Sequence, residues 1–139
     1  MSKIKVLIPI YNDWKSAFKL LKDIDLQIND LNHEFSVIIV NDCSTEERPV
    51  NGFNSKNLKS VKIINIKRNM GHARCNASGL RYIAEQEDYD YIIPMDGDGE
   101  DRVEEITLLI DKLNDYPDKV ITANRVKRSE GFFLSLIHI

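Results

Sequence analysis

The 139-residue chain has the size of one ordinary domain, which is long enough to bury a hydrophobic core. Its hydrophobic content of 42% and charged content of 29% are typical of a globular protein and exclude a largely disordered or membrane-embedded chain. The formal net charge of −3 argues against a dedicated nucleic-acid-binding protein and leaves room only for a local basic patch.

Cysteine usage and the amino-terminal residues predict a cytoplasmic protein. Cys43 and Cys75 are far apart and form no CxxC pair, so we expect reduced thiols rather than a disulfide framework or a zinc site. Residues 1–5 lead directly into an apolar run, so a secretory signal peptide is not expected. No apolar stretch reaches the roughly 20 residues that a membrane-spanning helix needs.

Apolar runs, and apolar residues at helical spacing, predict five strands and three helices. In chain order these are a strand over Lys3–Ile10, a helix from Trp14 to about Ile28, strands over Phe35–Val40 and Val61–Ile66, a helix over Gly71–Glu85, a strand over Tyr89–Met95, a helix over Val103–Leu113 and a strand over Lys119–Ala123. Asp13 is placed to cap the first helix, because an aspartate accepts hydrogen bonds from the amides that open a helix. The polar stretch Thr45–Lys59 is typical of a loop.

Apolar strands separated by helices predict an α/β fold, in which helices cover both faces of a mostly parallel sheet. Ligands of such sheets bind at the edge where the strands end. The polar and charged residues that follow the predicted strands are Pro9, Tyr11, Asn12 and Asp13; Asp42 and Ser44; Arg68, Asn69, Gly71 and His72; Asp96 and Asp98; and Arg125 and Arg128. Their common position predicts a binding site.

The acidic segment after the fourth predicted strand indicates a metal site. Gly97 permits a bend that turns the carboxylates of Asp96 and Asp98 towards one point. Mg²⁺ prefers oxygen ligands and bridges one or two carboxylates to phosphates, so we predict Asp96 and Asp98 as ligands, with Glu100 joining directly or through water. The alternative is a solvated acidic turn that caps the next helix.

Other residues at this edge have both a functional and a structural interpretation. Asp42 either accepts a hydrogen bond from a nucleobase or ribose, or forms a turn with Ser44. Tyr11 is either an aromatic wall for a base or part of the core. The amide of Gly71 at a helix start favours a phosphate, although Asn-x-Gly is also an ordinary loop. His72 is either a functional group or a capping or packing residue.

The basic residues after the fifth predicted strand leave two interpretations open. Arg125, Lys127 and Arg128 either clamp a phosphate with charge-assisted hydrogen bonds or form a solvated basic run.

Five segments, taken together, resemble the first half of a family 2 glycosyltransferase. Residues 6–13 (VLIPIYND) resemble the family's opening VVIPVYNE, and residues 37–45 (VIIVNDCST) resemble VIVVDDGST. Residues 68–73 (RNMGHA), followed by Gly79-Leu80, are similar to the RNxGH/K…AGL signature of polyprenyl-phosphate glycosyltransferases, which are like dolichol-phosphate mannose synthase. Residues 96–106 resemble the DADxQDPPE segment, and residues 123–130 (ANRVKRSE) resemble the arginine-bearing segment after the fifth strand.

The resemblance implies a truncated GT-A fold, Rossmann-like, in which residues 1–139 form the N-terminal portion of a glycosyltransferase domain. The residues that it implies for nucleotide-sugar binding are Pro9, Tyr11, Asn12, Asp13, Asp42, Gly71, Asp96, Gly97, Arg125 and Arg128, and those for Mg²⁺ or Mn²⁺ are Asp96, Asp98 and Glu100. The chain departs from the family at Asp13, where Glu is usual, at Asn41, where Asp is frequent, and at Arg102, where Pro is usual. These departures loosen the assignment to a subfamily.

The implied reaction transfers a sugar from a UDP- or GDP-sugar to an acceptor, for which a polyprenyl phosphate at the membrane surface is one candidate. A phosphate acceptor needs little deprotonation, whereas a hydroxyl acceptor needs a general base that the family carries beyond position 139. The resemblance also implies cell-wall or surface-polysaccharide synthesis and membrane association of the full-length protein. The sequence gives no indication of the oligomeric state.

Residues 134–139 (LSLIHI) fit poorly with a polar terminus. They match one reading frame of a transposase adapter used in sequencing libraries, which indicates non-native read-through. The alternative is the beginning of a native helix.

Two other functions remain as alternatives. One is a non-catalytic fragment that binds a nucleotide sugar. The other is a phosphatase of the haloacid dehalogenase type that uses Asp96 as nucleophile, although that class carries its DxDG motif on the first strand. A nicotinamide-binding domain is excluded because no GxGxxG follows the first predicted strand.

Overall fold

The computed structural model describes residues 1–98 and 102–122 and the backbone of residues 135 and 136. The elements in this part of the chain are β1 (Lys3–Ile10), α1 (Trp14–Gln27), a 3-10 turn (Ile28–Asp30), β2 (Glu34–Asn41), β3 (Ser60–Asn65), α2 (His72–Gln86), β4 (Tyr91–Pro94), α3 (Glu104–Asp115), β5 (Ile121–Thr122) and β6 (Ser135–Leu136). Each predicted strand and helix is therefore present, and within the described residues the ends differ by two residues at most. Ala123, the predicted end of the last strand, lies outside the described residues.

The sheet that positions the site has four parallel strands in the order β3-β2-β1-β4. β1 is an interior strand, in which Val6 lies opposite Val37 of β2 and opposite Ile93 of β4. Because all four strands run the same way, their carboxyl ends meet at one edge of the sheet. The predicted α/β fold with a mostly parallel sheet is confirmed.

Each face of the sheet is buried under its own helices, as the apolar strands predicted. On one face, Val6 and Ile8 of β1 pack in a cluster with residues of α1 and α3, such as Leu21 and Ile110. On the other face, Leu7 packs in a second cluster with residues of α2. Two cores therefore hold β1 from both sides.

The last predicted strand is not part of this sheet. Ile121 and Thr122 of β5 pair in antiparallel fashion with Leu136 and Ser135 of β6 and form a separate two-stranded sheet. The neighbouring Val120 is 61% exposed, so this segment lacks the continuous buried run of the four sheet strands. The backbone at residues 135 and 136 is extended, which argues against the beginning of a helix there.

The long loop between β2 and β3 is anchored by Asp25, a buried carboxylate on α1 that the sequence did not single out. Its Oδ1 accepts the N–H groups of Asn57 and Leu58, each at 2.8 Å, and its Oδ2 accepts that of Lys56 at 3.0 Å. Burial raises the pKa of Asp25, but these three donors lower it by more, so the net pKa is below its usual value. The predicted loop is therefore fixed to the helix.

Within residues 1–98 and 102–122, each helix is either too short or too polar to cross a lipid bilayer.

Substitution of Asp25 by Asn is expected to destabilise the protein at pH 7 by about 1–3 kcal/mol, because buried amides lose a charged acceptor. A carboxyl group with a lowered folded pKa contributes stability above its unfolded pKa of about 3.9 and loses it as the pH falls through the folded value. Urea denaturation between about pH 7 and pH 3 should therefore show a smaller loss of stability on acidification in D25N than in the unsubstituted chain.

The control for this measurement is Asp23→Asn on the same helix, which removes only the i,i+4 ion pair with Lys19. Such a pair contributes about 0.5 kcal/mol or less. Equal pH profiles for D25N and the unsubstituted chain would contradict the assigned role of Asp25.

A second prediction concerns Gly79, where α2 approaches the sheet closely. A Cβ atom at this position would lie 2.4 Å from Leu7 Cδ1 and 3.0 Å from Val40 Cγ2, both on fully buried side chains. Gly79→Ala gains about 1 kcal/mol of helix propensity but overpacks the core at a cost of about 1–3 kcal/mol. We expect a net loss of about 1 kcal/mol in thermal or urea denaturation. The exposed Ser78→Ala should be neutral or stabilising, and a stabilised G79A would contradict the close approach.

Candidate active site

A cavity of about 330 Å³ opens at the carboxyl ends of β1, β2 and β4. The residues that line it are Pro9, Ile10, Tyr11, Asp13, Asp42, His72, Cys75, Asp96, Gly97 and Asp98. The structure therefore brings together seven of the predicted site residues from three separate segments. Asn12 and Gly71 do not line this cavity, and the predicted residues Glu100, Arg125 and Arg128 lie outside the described residues.

The segment after β1 forms one wall of the cavity. Pro9, near the end of β1, also lines the cavity. Tyr11 is 45% exposed, so its ring is accessible rather than part of the core. This exposure favours the interpretation of Tyr11 as an aromatic surface for a ligand. Asp13 is exposed at the start of α1, where its carbonyl oxygen accepts the N–H of Ala17 at 2.8 Å. Its side chain makes no capping bond, so the predicted cap by the Asp13 carboxylate is wrong.

Asn12 has a structural role that the sequence did not predict. Its φ of 60° lies in the left-handed region, which asparagine tolerates better than most residues. Its Nδ2 donates to Thr45 Oγ1 at 3.0 Å, and its Oδ1 accepts the N–H of Glu46 at 2.9 Å. Asn12 thus joins the loop after β1 to the loop after β2, and its predicted contact with the donor is not supported by this geometry.

Asp42 at the end of β2 is a buried carboxylate that fixes the start of α2. The residue is only 4% exposed, and its Oδ1 and Oδ2 accept the N–H groups of Met70 and Gly71 at 2.7 Å and 2.9 Å. Burial raises the pKa of Asp42, but these donors and the Cys75 thiol lower it by more, so the carboxyl is held ionised. The structural alternative is a turn or cap formed with Ser44: Asp42 does act as a cap, but for the amides that precede α2, while the Ser44 hydroxyl bonds to Asn41.

Gly71 gives its amide to this internal carboxylate rather than to an open phosphate site. Its φ of 89° is a conformation that favours glycine. The amides at the start of α2 favour an anion. The anion that they bind is the Asp42 carboxylate. The predicted phosphate contact of the Gly71 amide is therefore not supported.

The negative charge of Asp98 acts on two other carboxylates that line the cavity, Asp96 and Asp13. Burial raises the pKa of Asp96, which the nearby His72 lowers and the negative charge of Asp98 raises again, with a net rise. Burial and the charge of Asp98 also raise the pKa of Asp13. Like charges gathered in this way favour a cation between them. A bound cation would reduce the repulsion between these carboxylates.

The donor set suits a hard divalent cation. Asp96 and Asp98 offer carboxylate oxygens, which Mg²⁺ and Mn²⁺ prefer, and such ions commonly complete their shell with waters and phosphate oxygens. In the described ranges, no three His, Cys, Asp or Glu residues are arranged to hold a metal by themselves. The predicted third ligand, Glu100, lies outside those ranges. The described residues therefore offer two carboxylates that suit such an ion, without forming a complete metal site by themselves.

Gly97, between the two aspartates, lies in a turn and also leaves room for a close approach to the end of β1. A Cβ atom there would lie 2.6 Å from Ile10 Cγ2 and 3.2 Å from the carbonyl oxygen of Pro9. The chain turns at Gly97 and Asp98, so the predicted bend is present, although it does not require a positive φ at Gly97. Its lack of a side chain lets the acidic segment lie directly against the end of β1.

Sequence reasoning gave too little weight to two residues of the cavity, His72 and Cys75. His72 Nε2 lies 3.2 Å from Asp96 Oδ1. Burial and Asp42 raise the pKa of Cys75 to about 12, so it stays a protonated thiol, which suits a donor to Asp42 and not a nucleophile. The helical i,i+3 spacing of these residues at the start of α2 is the signal that places both near the cavity.

Comparison with solved structures identifies the same architecture in glycosyltransferases. A mannosyltransferase, PcManGT from Pyrobaculum calidifontis in complex with GDP-Man and Mn²⁺, superposes with a TM-score of 0.70 at 12% identity. The match covers 99% of this chain and 44% of that one. TarS 1-349 from S. aureus superposes with a TM-score of 0.59 at 20% identity, over 91% of this chain and 39% of that one. TarS 1-349 is also known in complex with UDP-GlcNAc, where the identity is 22%, the TM-score is 0.59 and the coverage is 91% and 37%.

These likenesses show the fold, and the chain spans about two-fifths of the length of the structures that it matches. The sequence profile of Glycosyl transferase family 2 matches residues 5–138, which is nearly the whole chain. The match includes each of the five segments on which the resemblance was based, together with the cavity that the described segments form. The chain belongs to glycosyl transferase family 2.

Proposed function

We propose that this chain supplies the nucleotide-sugar-binding part of a metal-dependent glycosyltransferase. The observation that carries the proposal is the cavity at the carboxyl edge of the sheet, where Tyr11, Asp42, Asp96 and Asp98 converge in a member of family 2. Family membership argues against the phosphatase alternative. A sugar nucleotide presents a base, a diphosphate and a sugar, and the cavity offers an aromatic ring at one side and carboxylates at the other.

The nucleoside would lie against the wall that Pro9 and Tyr11 form. The exposed ring of Tyr11 suits a nucleobase, because stacking uses the ring face and leaves the hydroxyl in water. Asp42 has its carboxylate at the cavity floor and can accept a further bond from the base or ribose. Structural relatives are known in complex with UDP, UDP-GlcNAc and GDP-Man, which supports a UDP- or GDP-sugar as the donor.

The diphosphate would lie at the acidic mouth, held through Mg²⁺ or Mn²⁺ by Asp96 and Asp98, with Glu100 as the proposed third ligand. When bound, the metal supplies charge neutralisation for the departing nucleoside diphosphate. The presence of Mn²⁺ with GDP-Man in one relative supports this assignment. Asp13, whose pKa is raised by burial and then by the charge of Asp98, adds a further carboxylate to the cavity lining.

The chain's own residues would orient the donor. Asp42 and its hydrogen bonds to residues 70 and 71 keep the start of α2 in place, so the cavity is formed before a ligand enters. Gly97 keeps the acidic segment against β1, which sets the spacing between the base wall and the carboxylates. Such preorganisation lowers the cost of orienting the reacting groups.

The acceptor that we propose is a polyprenyl phosphate. The RNMGHA segment supports it through its similarity to polyprenyl-phosphate enzymes, and a phosphate oxygen needs no general base from residues beyond Ile139. Arg125 and Arg128 would face the donor diphosphate or the acceptor phosphate. This function belongs at the cytoplasmic side of a membrane, in cell-wall or surface-polysaccharide synthesis.

Because the chain spans 39% and 44% of two relatives, we propose donor binding for these residues and sugar transfer for a complete domain. Donor binding without transfer is the second candidate function for the chain by itself. Turnover measurements separate the two, because a binder forms no free nucleoside diphosphate from the sugar nucleotide.

The proposal predicts metal-dependent nucleotide binding that requires Asp98. Calorimetric titration with UDP and with GDP should show binding of one of them in Mn²⁺ and its loss in EDTA. Asp98→Ala should weaken this binding at least about tenfold, which is the usual effect of impairing a metal site. The preferred nucleotide would identify the base of the donor.

Asp111→Ala, at an exposed position on α3 outside the cavity, is the matched control and should bind as the unsubstituted chain does. Binding of equal strength in Mn²⁺ and in EDTA would contradict the metal assignment. A folded chain that binds neither nucleotide would contradict the proposed donor site.

A further inference from the structure

The first residue of α2, His72, contacts the acidic segment directly. Its Nε2 lies 3.2 Å from Oδ1 of Asp96, which is within hydrogen-bonding distance for an N–H donor and a carboxylate. The His72 side chain is 61% exposed, so packing alone does not account for its position. The contact joins α2 to the segment that follows β4, and both residues line the cavity.

Hydrogen bonds to Asp42 fix the backbone on both sides of His72. Asp42 accepts the amides of Met70 and Gly71 and the thiol of Cys75, which lie on both sides of His72 in the sequence. The Cα of His72 therefore has little freedom to move relative to the end of β2. An exposed side chain on a fixed backbone can hold a neighbouring group in one orientation.

The contacts of His72 also indicate where its proton lies. An ionised Asp96 only accepts hydrogen bonds, so Nε2 must carry the proton in this contact. Asn76, one turn later, has its Nδ2 at 3.2 Å from the same Nε2, and its buried Oδ1 has no partner among the described residues. Turning the amide by 180° places Oδ1 next to Nε2, so that an Nε2–H faces an acceptor on Asn76 as well as on Asp96. The Nε2–H tautomer is therefore consistent with both neighbours.

We propose that His72 is a positioning residue for the metal–diphosphate site: it donates Nε2–H to Oδ1 of Asp96 and so restricts the rotation of that carboxylate. The inference rests on the proposed function, because it assigns Asp96 to a metal. Carboxylates that bind metals are commonly held by such a second hydrogen bond, and its loss typically weakens the metal site about 10–100-fold. His72 acts here through Asp96 and does not itself contact the metal.

The test compares His72→Ala with His72→Gln in the 139-residue chain. Glutamine keeps an N–H donor at a similar distance from the backbone but has no imidazole ring. Mn²⁺ binding is measured from the loss of the free-ion electron paramagnetic resonance signal, with Mn²⁺ alone and with Mn²⁺ plus UDP or GDP. We expect H72A to bind Mn²⁺ at least about tenfold more weakly and H72Q to recover most of the affinity.

Arg74→Ala is the matched control, because it removes a positive charge two residues along α2 and Arg74 does not line the cavity. It should leave Mn²⁺ affinity unchanged. A second readout needs no metal: ¹⁵N spectra of the His72 ring should show a protonated Nε2 whose shift changes in Asp96→Asn and not in Asp88→Asn.

Three outcomes would overturn the inference. Equal Mn²⁺ affinity in H72A and the unsubstituted chain contradicts a positioning role, while the proposed function stands. An H72Q chain as weak as H72A would show that a directed N–H donor at this position does not hold the site. A chain that binds no Mn²⁺ under any of these conditions contradicts the proposed function as well, and the ¹⁵N spectra then show whether the His72–Asp96 bond exists at all.

Discussion

The structure depends on the burial of β1 from both sides. Val6 and Ile8 pack under α1 and α3 while Leu7 packs under α2, so the strand has no freedom to slip in register. With β2 and β4 parallel to it, the segments that follow these three strands must meet at one edge. The close approach at Gly97 brings the acidic segment against the end of β1. The cavity is thus a consequence of the packing of the sheet.

Asp42 links this packing to the chemistry of the site. An ionised carboxylate that is 4% exposed is costly unless donors surround it, and the amides of Met70 and Gly71 supply them. The same bonds fix the start of α2 and therefore the position of His72 beside Asp96. The sequence predicted that Asp42 binds the ligand, but its carboxylate first holds the site together. The carboxylate can still accept one further hydrogen bond from a bound sugar nucleotide.

The strands and the location of the site were predictable because they follow from local patterns: the apolar run ending at Met95 and the acidic residues after it place Asp96 and Asp98 at the sheet edge without knowledge of the fold. The roles of Asn12 and Gly71 were not predictable, because they depend on which loop lies opposite. Asn12 bonds to Thr45 and Glu46, and Gly71 bonds to Asp42, all contacts between distant segments. Asp25 was missed for the same reason, since its partners lie more than 30 residues away in sequence.

The measurement that tests the account most directly is the paramagnetic broadening of backbone amide resonances by Mn²⁺ in the presence of the preferred nucleotide. A metal at Asp96 and Asp98 should broaden the amides of Asp13, His72 and Gly97 most strongly. The effect should decrease along each strand towards Lys3 and Ser60, since a strand of eight residues is about 26 Å long. Broadening that is strongest at those amino ends, or that shows no gradient along the strands, would contradict a donor site at the carboxyl edge of the sheet.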